Sequence, residues 1–263
     1  MSILKNLLPF FLAMVVTLAA CRKESDTSPT DRDYVVAVDN SRAEQYFNDA
    51  LKLSDAAYKD LDLPCAVSVT LDTVANPHTL LIDLGPTNCT AADGWARRGR
   101  LLVSFTGAYR APGTVITITP QDYYVQDHHV QGTKTVTNGG TNGNGQTYFT
   151  VAVDGTVTAP DGSWTSSHHY ERTRTWVAGE GTLNLLDDVY LITGVGNGVN
   201  RNGLAFTLNI TSPLRVEVGC PWIVSGVEQI TPANSAVRTV DFGNGACDAQ
   251  VSVTVNGFTF TFG

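Results

Sequence analysis

The five cysteines are the residues of this sequence whose chemistry is most specific. One of them, Cys21, stands directly after the tripeptide LAA, and the apolar run 7–18 leads into that junction. The run is too short to span a membrane as a helix, which takes about 20 residues, but it fits the apolar part of a secretory signal. Because LAAC has the form of a bacterial lipobox, the sequence predicts a lipoprotein signal peptide over 1–20 and an acylated Cys21. An ordinary signal peptide followed by a chance cysteine is the alternative.

The segment after Cys21 is predicted to be a tether. Residues 22–33 offer no apolar side chain to bury, so 21–40 is expected to be a disordered leash. The acyl chains of a lipoprotein N-terminus give stable attachment, since each buried methylene contributes about 0.8 kcal/mol. Lys23-Glu24 is similar to the surface-export signals of Bacteroidetes lipoproteins. The membrane is therefore the first predicted partner, and the expected location is the cell envelope, as a palmitate-type outer-membrane lipoprotein displayed at the surface.

The remaining cysteines are predicted to form two disulfides. They are Cys65, Cys89, Cys220 and Cys247. An even number in an exported chain indicates disulfides, here with three possible connectivities. An internal repeat distinguishes between these, because 65–106 resembles 220–263: each copy reads cysteine, strand, loop, strand, D-x-G-x-x-x-C, turn and strand. The repeat predicts Cys65–Cys89 and Cys220–Cys247, each stabilising by about 3 kcal/mol in the chain-entropy model.

One helix and a long series of strands are expected to position these cysteines. SRAE at 41–44 has the form of a capping box, and apolar residues follow it at helical spacing, so an amphipathic helix is predicted over 41–60. From 61 to 263 apolar and small polar residues alternate, and Asn-Gly and Asp-Gly pairs indicate tight hairpins. The predicted fold is mainly β: an antiparallel meander of about fourteen strands, arranged as a two-layer sandwich or a strongly curved sheet.

Several longer segments give the chain a family resemblance. The lipobox, the tether, the helix and the segments IDLGPTNCTAADGWARRGRLLVSFTGAYRAPGTVITIT, YYVQDHHVQGTKTVTN, TWVAGEGT, CPWIVSGV and DFGNGACD resemble predicted lipoproteins of Bacteroidetes-type bacteria. The resemblance covers nearly the full length and is specific in the cysteine-bearing segments. It implies an envelope location and a β fold, and it carries no activity with it.

The repeated loop is the sharpest candidate for a metal site. Both copies place carboxylates and amides near glycines, and calcium prefers such oxygen ligands. The candidates are Asp83, Asp93, Asp241 and Asp248, with Asn88 and Asn244 beside them. Their spacing is not that of an EF-hand, so the alternative is a hairpin in which each Asp caps its own backbone. Apart from this calcium hypothesis, no cofactor is expected.

Two histidine pairs, His128-His129 and His168-His169, raise the question of zinc or copper. Adjacent residues of a strand point to opposite faces, so one histidine of each pair would have to meet across neighbouring strands. Solvent-facing strand histidines are the default interpretation.

Aromatic residues concentrate between 123 and 176, among them Tyr123, Tyr148, Trp164 and Trp176. If exposed, they would form a platform for sugar rings or for another envelope protein. If buried, they would be core or cross-strand pairs, which stabilise sheets by themselves. The second interpretation is preferred.

Charge and motifs narrow the function classes. A net charge of −8 disfavours nucleic-acid binding, which depends on neutralising phosphates. The basic cluster Arg97, Arg98 and Arg100 is interpreted as a solvated loop or as a contact for an anionic partner. No catalytic residue is predicted, because G-x-S-x-G and H-E-x-x-H are absent and both disulfides would leave no free cysteine.

Three functional hypotheses follow. The leading one is a lipid-anchored envelope protein whose β domain binds a partner or serves structurally, without catalysis. The first alternative is a surface glycan-binding module that uses the central aromatic residues. The second alternative is a hydrolase built from carboxylates on distant strands, a pairing that sequence spacing does not reveal.

Overall fold

The computed structural model describes residues 31, 33–59, 63 and 65–263. Cys21, the predicted signal peptide and the predicted tether up to residue 30 lie outside the described residues. Within the described ranges, no helix combines the length and the apolar character that crossing a membrane requires.

The described chain forms one long helix followed by a series of strands. Helix α1 covers Val35–Tyr58, and a short 3-10 turn covers Leu185–Asp187. The strands are β1 (Ser68–Asp72), β2 (His78–Asp83), β3 (Cys89–Thr90), β4 (Ala96–Phe105), β5 (Val115–Val125), β6 (His128–Thr141), β7 (Thr147–Thr158), β8 (Thr165–Ala178), β9 (Val189–Val199), β10 (Ala205–Glu217), β11 (Ile223–Pro232), β12 (Arg238–Asn244), β13 (Val251–Val255) and β14 (Phe258–Phe262).

The strands belong to a single antiparallel sheet in which nearly every strand pairs with its neighbours in the chain. The order is β1-β2-β4-β5 and then consecutive strands to β14, while the short β3 pairs with β4. The sheet does not close, so β1 and β14 are its two edges. This confirms the predicted antiparallel meander, in its single-sheet form. Strands from β2 to β11 contact α1, so the sheet curls around the helix.

Glycines allow the sheet to bend and to approach the helix. Gly99 has a φ of 93°, and a Cβ there would lie 1.9 Å from the Asp122 carbonyl oxygen across β4 and β5. The β4–β5 register shifts at this position, which is where the sheet bends. On β7, a Cβ on Gly155 would lie 2.3 Å from the Phe47 ring of α1. A side chain at Gly155 would therefore push the helix off the sheet.

Helix α1 is enclosed rather than laid on a surface. Every residue of α1 is buried or half-buried. The predicted apolar stripe is confirmed, since Ala43, Phe47, Ala50 and Leu51 are all buried in the larger of two apolar clusters. The helix therefore takes the place of a second layer inside the curled sheet.

The predicted helix start at 41 is wrong, and so is the end of the tether at 40. The helix begins at Val35, whose N–H donates to the Asp33 carboxylate at 2.9 Å. The earlier start has a packing reason: Val36 and Ala37 are buried in the second apolar cluster, formed by β9 to β13. Capping is not the role of Glu44, which lies mid-helix and binds an arginine of the sheet.

Both predicted disulfides are present. Cys65 pairs with Cys89, and Cys220 pairs with Cys247. The two copies of the repeat therefore form equivalent covalent loops near the two ends of the sheet.

All four carboxylates of α1 are buried, and each pairs with an arginine of the sheet or of its loops. The pairs are Asp39 with Arg201, Glu44 with Arg172, Asp49 with Arg97 and Asp55 with Arg110. Because removal of one partner from a buried ion pair leaves an uncompensated charge, these contacts strongly constrain the helix position.

The Asp49 pair provides a test of that constraint. Asp49→Ala takes away one carboxylate of Arg97 and the acceptor of the Tyr123 hydroxyl, so we expect the free energy of unfolding to fall by about 3 kcal/mol. Urea unfolding of the full chain, followed by circular dichroism, measures the loss. Asp127→Ala is the matched control, because Asp127 pairs with Arg98 at the surface and its side chain is 54% exposed. Equal destabilisation by both changes would contradict the interpretation.

Candidate functional site

The two cysteine motifs meet over one side of the helix. Trp95 follows Cys89 in the first motif, and Trp222 follows Cys220 in the second. Their ring centroids lie 5.7 Å apart. Trp95 also packs edge-on against Tyr46 of α1 at 5.7 Å. This contact joins segments that are far apart in strand order, and it divides the open side of the curled sheet into two clefts.

The larger of these two clefts lies over the C-terminal half of α1, and we call it the Lys52 cleft. Its volume is about 460 Å³, within the range usual for small-molecule sites. Helix, loops and both cysteine motifs contribute to its wall, which includes Lys52, Ala56, Asp93, Trp95, Leu186 and Val218. The smaller cleft, of about 390 Å³, lies over the N-terminal half between Arg42, Trp222 and Phe262.

An ion triad of one guanidinium and two carboxylates forms one wall of the Lys52 cleft. The Arg97 guanidinium contacts Asp49 at 2.7 Å and Asp93 at 2.6 Å. Burial alone would raise the pKa of Asp93, but hydrogen bonds from Arg97 and from the Trp95 N–H outweigh it, and the pKa falls below its ordinary value. Asp93 therefore stays charged, and the two carboxylates together hold Arg97 in place. The triad carries one more carboxylate than cation, and the nearby Lys52 lies within the field of both carboxylates.

Lys52 is the cation of the cleft that lacks a carboxylate partner among the described residues. Its ammonium donates to the Cys220 carbonyl oxygen at 2.5 Å. Burial lowers the pKa of Lys52 to about 8, although Asp49 opposes the shift. Across the cleft, burial raises the pKa of Asp188, and Arg110 opposes that shift. The cleft thus combines apolar walls with a cation that has no carboxylate in direct contact among the described residues, although Asp49 and Asp93 act on it from a distance.

The calcium candidates cap their own turns. Asp83, Asp93, Asp241 and Asp248 each accept the backbone N–H two residues further on, at 2.8 to 3.0 Å. Asp241 and Asp248 line a surface hollow of about 540 Å³, and Asp93 is paired with Arg97. Among the described residues, no three or more His, Cys, Asp or Glu side chains are grouped as metal ligands. This arrangement matches the hairpin alternative.

The histidine pairs lie on β6 and β8, and β7 separates them. They therefore cannot meet across neighbouring strands, as the zinc or copper hypothesis required. Solvent exposure, the default interpretation, is wrong for His168, which is 1% exposed and hydrogen-bonded to Ser166 and Tyr170. Burial lowers the pKa of His168 to about 3, so it stays neutral.

The four aromatic candidates do not share one surface. Tyr123 is buried with its hydroxyl on Asp49, and Trp176 stacks on Tyr190 with ring centroids 5.4 Å apart. Trp164 lies under the Arg201 guanidinium at 4.0 Å, and Tyr148 is half-buried. Glycan binding stays a prediction without a common aromatic platform to support it.

Sequence reasoning missed the residues that form the cleft. Arg97 is 3% exposed, so the interpretation of its cluster as a solvated loop is wrong for this residue. Trp95 and Trp222 follow the repeated cysteines, and the repeat is the signal that could have identified them. Lys52 gave no signal, because a lysine on a predicted amphipathic helix is usually solvated.

Comparisons of the chain with protein-family models, with curated proteins and with solved structures found no match.

The state of Lys52 can be measured directly. In the full chain labelled with ¹⁵N-lysine, we expect the Lys52 amine to titrate near pH 8 rather than at its ordinary value of 10.5, because burial disfavours the ammonium. Nuclear magnetic resonance of the amine nitrogens gives the titration, and Lys52→Arg identifies the resonance by its loss. A Lys52 titration at the ordinary value would contradict the cleft geometry.

Proposed function

We propose that this chain is a lipid-anchored protein of the cell envelope whose β domain binds a ligand, without catalysis, in the Lys52 cleft. The observation that carries the proposal is the cleft itself, formed by α1 and both disulfide-bearing motifs. Leu186, Val218 and Trp95 offer apolar surface, and Lys52 offers one cation without a carboxylate partner among the described residues. The ligand class that fits is amphiphilic: an apolar body with one anionic group.

Binding fits the cleft better than catalysis does. Three of the four carboxylates in its wall are paired with arginines, Asp49 and Asp93 with Arg97 and Asp55 with Arg110. The fourth, Asp188, accepts from the Tyr190 hydroxyl at 3.4 Å. A catalytic carboxylate needs a free oxygen at the reacting centre. An exported binding protein, by contrast, needs a pre-formed apolar site whose walls are held in place. The disulfides and the Asp49–Arg97–Asp93 triad supply that rigidity.

The predicted anchor fits the start of the folded domain. Asp31 is held to Arg238 at 2.7 Å, so the fold begins soon after the predicted lipid position at Cys21. About ten residues span at most about 35 Å. An acylated Cys21 would therefore keep the domain close to the membrane surface.

The anchor is tested by changing its cysteine. Cys21→Ala removes the thiol that would carry the lipid, so we expect the protein to move from the membrane fraction to the soluble fraction of the envelope. Fractionation and mass spectrometry of the mature N-terminus measure the change. An unmodified Cys21 in the membrane fraction of the wild type would refute the anchor while leaving the cleft untouched.

The cleft is tested with anilinonaphthalene sulfonate, a fluorescent probe with an apolar ring system and one sulfonate. We expect the full chain to bind it, and we expect Ala56→Trp, which fills the cleft, to weaken binding at least about tenfold. Leu183→Trp is the matched control, because Leu183 is 97% exposed and does not line the cleft. Fluorescence titration gives the affinities. Equal affinity of the wild type and Ala56→Trp would exclude the cleft as the site.

The same probe reports the role of Lys52. The sulfonate keeps its charge at all relevant pH values, whereas Lys52 loses its proton as the pH rises through about 8. Probe affinity should therefore fall between about pH 7 and about pH 9 in the wild type. Lys52→Arg keeps a positive charge throughout and should abolish this fall. A fall that persists in Lys52→Arg would assign the dependence to another group.

A further inference from the structure

Three basic side chains are buried inside the curled sheet, next to the Lys52 cleft. Lys134 of β6 is 3% exposed, and Arg172 and Arg174 of β8 are 6% and 5% exposed. All three lie on the face of the sheet that encloses α1. Buried charges are normally paired, because burial without a partner removes hydration and supplies nothing in its place. Among the described residues, Arg172 is the one of the three with a carboxylate partner, Glu44.

Hydrogen-bond donors outnumber acceptors around these side chains. Four buried nitrogen atoms have no acceptor among the described residues: Nε and Nη2 of Arg174, Nε of Arg172 and Nδ2 of Asn48. The Lys134 ammonium donates to Asn48 Oδ1 at 2.9 Å. With Oδ1 directed at Lys134, the Nδ2 of the same amide has no acceptor among the described residues. The Arg174 guanidinium lies 3.6 Å from the centre of the Tyr190 ring, but a ring face does not replace an in-plane acceptor.

The residues that carry these donors line a small cavity of about 10 Å³. Glu44, Asn48, Lys134, Arg172 and Arg174 line it, together with apolar side chains of β7 and β9. A cavity of this size holds one atom or one water molecule. Phosphate, sulfate and carboxylates are therefore too large for it.

The charge balance around the cavity is positive. Glu44 is neutralised by Arg172, and Asp55 is neutralised by Arg110. Burial raises the pKa of the nearby Glu228 to about 8, and Glu44 adds to that shift, so Glu228 is protonated at neutral pH. Arg174 has no carboxylate in ion-pair contact among the described residues; Asp55 and Asp188 act on it only from a distance. An arginine cannot discharge itself by losing its proton.

We propose that this cavity binds a single monatomic anion, chloride under physiological conditions, between Asn48, Lys134, Arg172 and Arg174. The anion accepts from the N–H groups that otherwise lack an acceptor, and its charge compensates Arg174. Water is the competing occupant: it could donate to Glu44, the carboxylate in the lining, but it would leave the charge of Arg174 uncompensated. The cavity shares Asn48 with the wall of the Lys52 cleft but is a different cavity, and the inference does not depend on the proposed function.

The protonation of Lys134 links this site to pH. Burial lowers the pKa of Lys134 to about 7; Arg174 and Arg172 lower it further, while Glu44 and Asp55 raise it. Below pH 7 the ammonium form adds a second positive charge beside the cavity. Anion binding should therefore strengthen as the pH falls through about 7.

Halide-dependent stability of the full chain is the first test. We expect the melting temperature to rise by about 5 °C or more in sodium chloride or bromide relative to sodium gluconate at equal ionic strength. Arg174→Met should remove the halide effect, and Lys134→Met should remove its dependence on pH. Lys52→Met, which changes a cleft lysine outside the cavity, is the control and should keep both.

Bromide supplies a second, independent test, because its anomalous scattering locates it in crystals of the full chain. We expect one peak in contact with Arg174 and Asn48. If Arg174→Met fails to fold, the bromide peak in wild-type crystals and the pH dependence of the halide effect in Lys134→Met still test whether the cavity binds an anion. Equal melting temperatures in halide and gluconate, or no bromide peak in the cavity, would overturn the proposal and assign the cavity to water.

Discussion

The pairing of helix carboxylates with sheet arginines is the interaction on which this fold depends. Without α1, the curled sheet would bury Arg172 with nothing to neutralise it, and Arg97 would keep only Asp93. Without those arginines, Asp49 and Glu44 could not enter the interior, because a buried carboxylate needs a partner. Apolar packing alone would tolerate sliding or rotation of the helix. Ion pairs placed at intervals along α1 admit one axial position and one rotation, a role in specificity more than in net stability.

That fixed helix position determines where the cleft lies. Lys52 and Asp49 are on neighbouring turns of α1, so the carboxylate that anchors the helix to Arg97 also sets the place of the lysine in the cleft. The second motif completes the arrangement, since the Cys220 carbonyl accepts from Lys52 and Trp222 packs on Trp95. The repeat is therefore more than a folding unit. Each copy carries its own disulfide and contributes residues to one wall of the Lys52 cleft, and α1 lies between the two walls.

The sequence predicted the parts of this structure that are encoded locally. Alternation and turn residues gave the antiparallel meander, and the repeat gave both disulfides. The helix start was wrong because Val36 and Ala37 were read within a polar tether, whereas they pack on strands more than a hundred residues away. The buried carboxylates were missed for the same reason: Asp39 looks solvated until the curled sheet brings Arg201 to it. Tertiary pairing overrides the local expectation that helix acids face water.

The interior handles its other ionisable groups in a different way. Among the described residues, Glu228, His168 and Lys134 are buried without a charged partner in hydrogen-bonding contact. The pKa of each is displaced toward its neutral form, to about 8, 3 and 7 respectively. Such groups escape the burial penalty by gaining or losing a proton. Arginine has no such escape, which explains why four sheet and loop arginines each hold a helix carboxylate. Within the described chain, Arg174 neither pairs with a carboxylate nor can lose its proton. A small anion beside Arg174 would neutralise it as the helix carboxylates neutralise the other arginines, with the negative charge supplied from solution instead of from the helix.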